Sequence, residues 1–193
     1  GAGELEAVGV VSELFMSFKE KYPNVYLYLH TGNADHIKRN IDNGLVDVGV
    51  LLEPVEIEKY DFIRLDTQEE WVVLMGPDSP LAKKEYVTVD DLRGLPLIIT
   101  KRQSVRNEIE SWFGNHAEDL KIAAYSNLST NASVLVGQGV GYALIIKGSL
   151  PFLDHSKVTY RSLHPQRKTT CVLAWKKHQP FSLTVTKFIN HIQ

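Results

Sequence analysis

The feature that most constrains this chain is an alternation of helical and strand patterns that occurs twice, about 95 residues apart. In the first copy, apolar residues three or four positions apart predict an amphipathic helix over residues 5–22. A strand at 25–29, a short helix around Ile37 and Ile41, and a buried β-branched strand at 46–51 follow. This order favours a parallel sheet with helices on its faces.

The second copy repeats the topology without obvious sequence similarity, which indicates two similar domains and not a repeat. We predict strands at 71–77, 96–100, 121–125, 142–146, 158–163 and 170–177. Helices are predicted around Val105 to Phe113, over 132–136 and from Leu183 to Ile192, and Thr88 is expected to cap a one-turn helix. A parallel crossover also needs a strand before the first helix. Only residues 1–4 remain to supply it, so we expect a first strand truncated at its N-terminal end.

Composition narrows the function classes. The chain has 193 residues, 44% of them hydrophobic and 23% charged, as in an ordinary globular protein of one domain or two small ones. The net charge of −2 argues against nucleic-acid binding by this segment alone. No apolar run approaches the roughly 18 residues of a membrane span. The single Cys171 excludes an internal disulfide and favours a reducing compartment, and the start at Gly1 suggests a fragment or a processed chain.

Glycines at 137, 139 and 141 raise the question of a phosphate-binding loop. In the dinucleotide-binding fingerprint the glycines follow a strand and open a helix. Here a helix runs into the glycines and a strand leaves them. We therefore predict a turn, in which Gly137 caps the helix in a left-handed conformation while Gly139 and Gly141 let the chain pass close to the sheet.

No catalytic motif is present. The chain contains neither a G-x-S-x-G elbow nor a P-loop. The seven histidines are scattered. His30 and His36 flank residues 31–33, but two ligands fall short of the usual three or four, so we predict no metal site. We predict no cofactor and no catalytic residues.

Five segments, in this order and spacing, resemble the effector-binding domain of LysR-type transcriptional regulators. They are FKEKYPNVYLYLHTGN (18–33), NGLVDVGVL (43–51), VLMGPDSPLA (73–82), DLRGLPLI (91–98) and LVGQGVGYALI (135–145). The resemblance implies an α/β fold of two Rossmann-like subdomains of the periplasmic-binding-protein type II kind, joined by two crossover strands with a ligand cleft between them. It places residues 1–70 and 168–193 in subdomain I and residues 71–167 in subdomain II. It also implies an upstream winged helix-turn-helix domain, without which this chain would not bind an operator.

Ligands of open α/β sheets bind beyond the carboxyl ends of strands, where helix N-termini favour anions. Four strand-to-helix junctions qualify, at 2–6, 31–35, 101–104 and 126–131, and the family's ligand contacts come from the same loops. The candidate ligand-binding residues are Gly3, Glu4, Thr31, Gly32, Asn33, Lys101, Arg102, Ser104, Asn127 and Ser129.

Each candidate has an alternative role. Helix capping is the alternative for Thr31, Ser104 and Ser129. At most one of Lys101 and Arg102 is expected to face a ligand, because neighbouring side chains on an extended segment point in opposite directions. Glu4 indicates either a ligand with an amine or hydroxyl group or a carboxylate that complements the helix dipole. Residues 52–54 either line the cleft or form a simple turn.

The main hypothesis is a cytoplasmic regulatory sensor that binds a small polar or anionic effector. The resemblance implies a homodimer or tetramer, with the helix at 5–22 of one subunit against the helix near Val134 of another. It implies DNA contact only through the upstream domain, and we expect no membrane contact. A periplasmic solute-binding protein is the alternative on the same fold. An enzyme is a third hypothesis, for which Glu4 with His30 or His36 is the candidate set.

Overall fold

The computed structural model describes residues 1–193 and divides into two compact units. Unit 1 comprises Gly1–Gln68 and Thr170–Gln193, and unit 2 comprises Glu69–Thr169. The chain passes between the units along two strands, β2 (Tyr60–Met75) and β8 (Lys168–Lys176). None of the helices has both the length and the apolar character needed to cross a bilayer.

Unit 1 contains the helices α1 (Ala7–Lys21), α2 (Ala34–Asp42) and α6 (Leu183–Ile192) and the strand β1 (Gly49–Leu52). β1 pairs antiparallel with β8, with Leu52 opposite Cys171. The predicted apolar stripe of α2 forms the core, because Ile37 and Ile41 are buried against residues of β1, β2 and β8. On α1, the ring of Phe18 packs edge-on to that of Phe188 in α6, with centroids 5.3 Å apart.

The position of a first strand is occupied by Gly1 and Ala2. Ala2 forms a parallel bridge with Thr31, donating to the carbonyl of His30 at 2.9 Å and accepting from the Gly32 amide at 3.0 Å. On the other side, the Gly1 ammonium donates to the Val48 carbonyl at 2.8 Å, and the Val50 amide donates to the Gly1 carbonyl at 2.8 Å. These two residues therefore lie parallel to both neighbouring segments.

The prediction of a strand at 25–29 is wrong. These residues form no ladder. The side chains of Tyr26 and Tyr28 are 89% and 88% exposed, and Leu27 and Leu29 about half exposed. The residues have strand propensity, but pairing needs a neighbour, and the parallel bridge from Ala2 reaches only Thr31.

Unit 2 is built on a mixed sheet with the order β7-β2-β6-β4-β5. β4 (Pro96–Ile99) lies parallel to both β5 (Lys121–Tyr125) and β6 (Tyr142–Ile146). β2 pairs antiparallel with β6 and with β7 (Thr159–His164), and the short β3 (Val87–Thr88) pairs parallel with β7. The helices are α3 (Val89–Leu92), α4 (Gln103–Phe113) and α5 (Ser129–Gly137). Short 3-10 turns cover Pro80–Lys83, Gly114–Asp119 and Lys147–Phe152.

The one-turn helix predicted after Thr88 is confirmed, and its start is a capping box. The Asp91 amide donates to the Thr88 hydroxyl at 3.3 Å, while the Thr88 amide donates to the Asp91 carboxylate at 2.9 Å. Two backbone donors at the helix start are thereby satisfied.

The turn predicted at the three glycines is confirmed, but the left-handed residue is Gly139, with φ +79°, and not Gly137, which ends α5. The Gly139 amide donates to Val136 and the Val140 amide to Leu135, which is the hydrogen-bond pattern of a Schellman motif. Gly141 is needed for another reason. A Cβ there would lie 2.3 Å from the carbonyl oxygen of Pro96.

Candidate functional site

In unit 1 the predicted residues gather at one edge of the parallel segments. The bridge between Ala2 and Thr31 brings the chain leaving each residue to the same edge, so Gly3 and Glu4 lie beside Gly32 and Asn33. A Cβ on Gly3 would lie 3.6 Å from the Gly32 carbonyl oxygen. Gly32 is buried, Thr31 is exposed, and the others are partly exposed.

The residue that caps α2 is Asn33. Its side-chain oxygen accepts from the His36 amide at 3.0 Å, which satisfies a backbone donor in the first turn. The capping role considered for Thr31 is therefore taken by Asn33. The His36 ring packs over Gly32, where a Cβ would lie 2.5 Å from His36 Cδ2.

The acidic residue beside α1 is Glu6, which stands at the N-cap position without a side-chain capping bond, and the first turn of α1 contains no acid. Glu4 precedes this position by two residues. Both carboxylates lie near the positive end of the α1 dipole, so the helix-dipole role considered for Glu4 stays a prediction.

In unit 2 the predicted residues follow two adjacent parallel strands. β4 pairs with β5 up to Ile99 and Tyr125, and the Ser126 amide donates to the Ile99 carbonyl at 3.0 Å. The segments that lead into α4 and α5 therefore begin side by side. This arrangement brings together the predicted residues that follow β4 with those that follow β5, namely Lys101, Arg102, Ser104, Asn127 and Ser129.

The capping role considered for Ser104 and Ser129 is wrong, because both lie inside their helices. The N-cap positions are Arg102 for α4 and Leu128 for α5, and neither side chain makes a capping hydrogen bond. Each helix begins one or two residues earlier than a capping role for these serines requires. This earlier start places Ser104 and Ser129 in the first turns of α4 and α5.

Lys101 and Arg102 point to different environments. Lys101 is exposed, whereas Arg102 is 6% exposed, and the Arg102 amide donates to the Thr100 hydroxyl at 3.3 Å. The difference in exposure agrees with the position of the two residues on an extended segment.

Of residues 52–54, Glu53 makes specific contacts within unit 1. Its carboxylate accepts from Arg64 at 2.9 and 3.3 Å and from the Thr170 hydroxyl. The Arg64 hydrogen bond is the main reason that the pKa of Glu53 is lowered. This carboxylate therefore ties β2 and β8 to the segment after β1.

Each unit also has a groove of its own. In unit 1 a groove of about 200 Å³ is lined by residues 25–28 and 45–48 and by Phe15, Phe18 and Phe188. In unit 2 a recess of about 300 Å³ is lined by Trp112, Arg93 and Arg167, among others. No cluster of three or more His, Cys, Asp or Glu side chains is arranged to hold a metal ion.

Sequence reasoning missed one contact at the predicted site. The Nε2 atoms of His30 and His36 lie 3.1 Å apart. The sequence places a histidine on either side of residues 31–33. The distance between the two rings, however, depends on how the segment next to the Ala2–Thr31 bridge meets the first turn of α2.

The chain matches the family model described as "LysR substrate binding domain" over residues 1–193. It is 29% identical over 180 residues to the uncharacterized HTH-type transcriptional regulator YvbU of Bacillus subtilis, which covers 92% of this chain and 60% of YvbU. It is 25% identical over 187 residues to the transcriptional activator protein LysR of Escherichia coli, which covers 94% of this chain and 58% of LysR. The chain thus spans about 60% of the length of these relatives.

Solved structures share the fold. The effector-binding domain of QuiR in complex with shikimate has a TM-score of 0.80 at 24% identity and covers 98% of this chain and 92% of that one. The regulatory domain of Synechocystis CcmR in complex with 2-PG has a TM-score of 0.77 at 19% identity and covers 99% and 93%. The chain belongs to the LysR substrate-binding-domain family, with a fold of the periplasmic-binding-protein type II kind. The family match and the relatives are those of transcriptional regulators and not of enzymes.

Proposed function

We propose that this chain is the effector-binding part of a LysR-type transcriptional regulator and senses a small anionic metabolite. The observation that carries the proposal is the family match over the whole chain. Relatives that are DNA-binding regulators support it, because the chain spans only about 60% of their length.

The proposed ligand residues are those at the strand-to-helix junctions within each unit. In unit 2, α4 and α5 begin side by side, and neither N-cap residue makes a side-chain capping hydrogen bond. Helix starts carry backbone N–H groups and partial positive charge, which suit a carboxylate or a phosphate. Ser104 and Ser129 lie in the first turns and are proposed to contact the ligand through their hydroxyls, and Lys101 adds an exposed positive charge.

In unit 1 the proposed contacts come from the loop after Thr31 and the loop at Gly3. Gly3 and Gly32 leave the backbone open to close approach. Asn33 already uses its side-chain oxygen to cap α2, so its amide nitrogen is the group proposed to face a ligand. Glu4 is proposed to accept from a hydroxyl or an amine of a ligand bound at unit 1.

Effector binding would regulate only through differential affinity for two conformations of the full-length protein. We propose that the regulator acts in the cytoplasm as a homodimer or tetramer, and that DNA is contacted through its helix-turn-helix part. Exposed apolar side chains on α1 and α5, Met16 and Val134, each 62% exposed, support contacts between copies at these helices. A periplasmic solute-binding role has no comparable support, since the relatives named above are transcriptional regulators.

The test is a thermal-shift screen against small carboxylates and phosphate esters, followed by calorimetry on any hit. Ser104→Ala and Ser129→Ala are each expected to weaken a hit about tenfold, the loss of one hydrogen bond to a charged group. Ser111→Ala is the matched control, because it lies in α4 but its hydroxyl donates to the Glu108 carbonyl at 2.6 Å. An equal effect of all three variants, or no hit in a broad library, would contradict the proposed site.

A further inference from the structure

The pair His30 and His36 has a geometry that the proposed function does not use. Their Nε2 atoms are 3.1 Å apart, and the two ring planes are inclined by only 13°. The ring centres are 5.3 Å apart, much further than the nitrogens, so the two nitrogens face each other. Both side chains are partly exposed, so an ion can reach them from solvent.

The backbone holds both histidines in place. His30 accepts through its carbonyl from the Ala2 amide at 2.9 Å, in the parallel bridge of unit 1. His36 is in the first turn of α2, where its amide donates to Asn33. Its ring lies against Gly32, which has no Cβ to displace it. The backbone of the pair is therefore positioned by the bridge between Ala2 and Thr31 on one side and by the start of α2 on the other.

The separation of the two nitrogens is that of ligands on one metal ion. Zinc–imidazole bonds are about 2.0–2.1 Å long, so two imidazoles on a tetrahedral ion have nitrogens about 3.3–3.4 Å apart. At a right angle, as in octahedral coordination, the separation is about 2.9 Å. The observed 3.1 Å lies between these values. An ion about 2.05 Å from both nitrogens lies about 40° off the line that joins them, whereas the ring-centre separation leaves both lone pairs near that line, so each ring turns by roughly 20–40° on binding.

We propose that His30 and His36 bind a divalent transition-metal ion of the zinc, nickel and copper group through their Nε2 atoms. Imidazole suits these ions, whereas magnesium and calcium prefer oxygen ligands. Both rings bind as the Nδ1–H tautomer, and the hydrogen bond between the Nε2 atoms is exchanged for two metal bonds. Two protein ligands leave the other coordination positions to water, so the site is open. The partial positive charge at the start of α2 opposes the cation weakly, and Asp35 in the same turn offsets it.

The proposal does not depend on effector binding, because the metal ligands are not among the residues proposed for the effector. The experiment is calorimetric titration of ZnCl₂ and NiCl₂ into the whole chain in a non-chelating buffer. One ion per chain is expected. His30→Asn and His36→Asn are each expected to weaken binding at least tenfold, because even loss of a residue that only supports a metal ligand costs about 10–100-fold.

The matched control is His178→Asn. His178 is exposed and has φ 55°, a conformation that asparagine tolerates, so the variant removes one surface imidazole without strain. Its affinity is expected to equal that of the parent. Gly32→Ala keeps both imidazoles but places a Cβ 2.5 Å from His36 Cδ2, so it is expected to weaken binding as well.

A second measurement uses no variant. With ¹⁵N-labelled protein, one equivalent of Zn²⁺ is expected to shift the Nε2 resonances of His30 and His36 and leave those of the other five histidines unchanged. The absence of binding up to millimolar metal would overturn the proposal. Equal affinity in the parent and both His→Asn variants, or shifts spread over all the histidines, would do the same.

Discussion

The terminal ammonium of Gly1 donates to the carbonyl oxygen of Val48 at a distance of 2.8 Å, within the sheet position of a first strand. Burial lowers the pKa of this ammonium to about 6, although the Asp47 carboxylate acts in the opposite direction. An α-amino group in an unfolded chain has a pKa of about 8. In the 193-residue chain with Gly1 as its free N-terminus, the folded state therefore resists a proton that the unfolded state accepts.

This difference predicts a pH dependence of stability. The folded pKa is lowered, so the unfolded chain binds more protons between pH 8 and pH 6, and the free energy of unfolding falls as the pH decreases through this window. A shift of this size corresponds to about 2–3 kcal/mol at pH 6. Acetylation of the N-terminus keeps an amide donor for Val48 and removes the charge. The acetylated chain is expected to be more stable at pH 6 and equally stable at pH 9.

Urea unfolding of both forms at pH 6, 7, 8 and 9 measures the effect. The histidines titrate in the same range, so the quantity to compare is the difference between the two forms, in which their contribution cancels. If the free energy of unfolding changes with pH equally in the free and the acetylated chain, the ammonium is solvated in the folded state.

The groove next to Gly1 predicts that residues added ahead of Gly1 can stabilise the chain. It is bounded by residues 25–28 on one side and 45–48 on the other, and Gly1 lines it. Four β-branched residues added ahead of Gly1 are expected to extend the parallel pairing of Ala2 along residues 26–30. Burying two or three apolar side chains should raise the free energy of unfolding by a few kcal/mol, at about 1.5–3 kcal/mol for each side chain that is fully buried.

Hydrogen exchange of the amides of residues 26–30 reports the new pairing directly. An extension Gly-Ser-Gly-Ser of equal length is the control, because it removes the terminal charge from Gly1 but has neither strand propensity nor apolar side chains. The prediction fails if both extensions protect these amides equally.

The helices of this fold could be predicted from the sequence because their apolar spacing reports burial directly. Val105, Ile109 and Phe113 of α4 recur at four-residue intervals, and all three are buried. The strand at 25–29 could not be predicted correctly, because propensity belongs to the residues whereas a ladder also depends on a partner segment. The first half of β2 was missed for a related reason, since residues 60–70 carry mainly polar and charged side chains.

In the candidate site, too, some features could be predicted from the sequence and others could not. The junctions followed from topology, because parallel strands end at one edge of a sheet. The capping residues did not follow, because a shift of one or two residues in a helix start moves Ser104 and Ser129 from cap to first turn. The contact between His30 and His36 is a tertiary distance of 3.1 Å that no local pattern encodes.

Two glycines predict opposite effects of the same substitution. A Cβ at Gly141 would lie 2.3 Å from the Pro96 carbonyl oxygen, and this backbone contact adjoins the pairing of β6 with β4. Gly141→Ala is expected to lower the free energy of unfolding by about 1–3 kcal/mol, as for other overpacked positions. Gly9 lies exposed in α1 with nothing within 4 Å of a Cβ, so Gly9→Ala is expected to raise it by about 0.5–1 kcal/mol.

Chemical denaturation of the two variants beside the parent chain measures both changes. A stable Gly141→Ala protein would mean that β4 and β6 can separate at Pro96 without cost. A destabilised Gly9→Ala protein would mean that the exposed face of α1 has a neighbour at this position.

The lowered pKa of the buried Glu70 carboxyl predicts how the stability of the chain responds to acid. Its side chain is 8% exposed, and burial alone would raise its pKa. The polar side chains of Ser162 and Gln166 and the Lys147 ammonium, which donates to Glu70 Oε2 at 3.1 Å, outweigh burial and lower the pKa below its ordinary value. The stabilisation is therefore complete above the unfolded pKa, near 4.3, and is lost as the pH falls through the lowered folded value.

Glu70→Gln removes the titrating group and keeps a similar shape. The variant is expected to be less stable than the parent at pH 7 by about 1.5–3 kcal/mol, the contribution of hydrogen bonds to a charged group. It is also expected to lose less stability than the parent between pH 6 and pH 3.5, because it has no carboxylate to protonate at this position. Urea unfolding across this range tests both expectations, and Glu13→Gln on the exposed face of α1 is the control. An acid response in Glu70→Gln as steep as that of the parent would place the acid-sensitive carboxylates elsewhere in the fold.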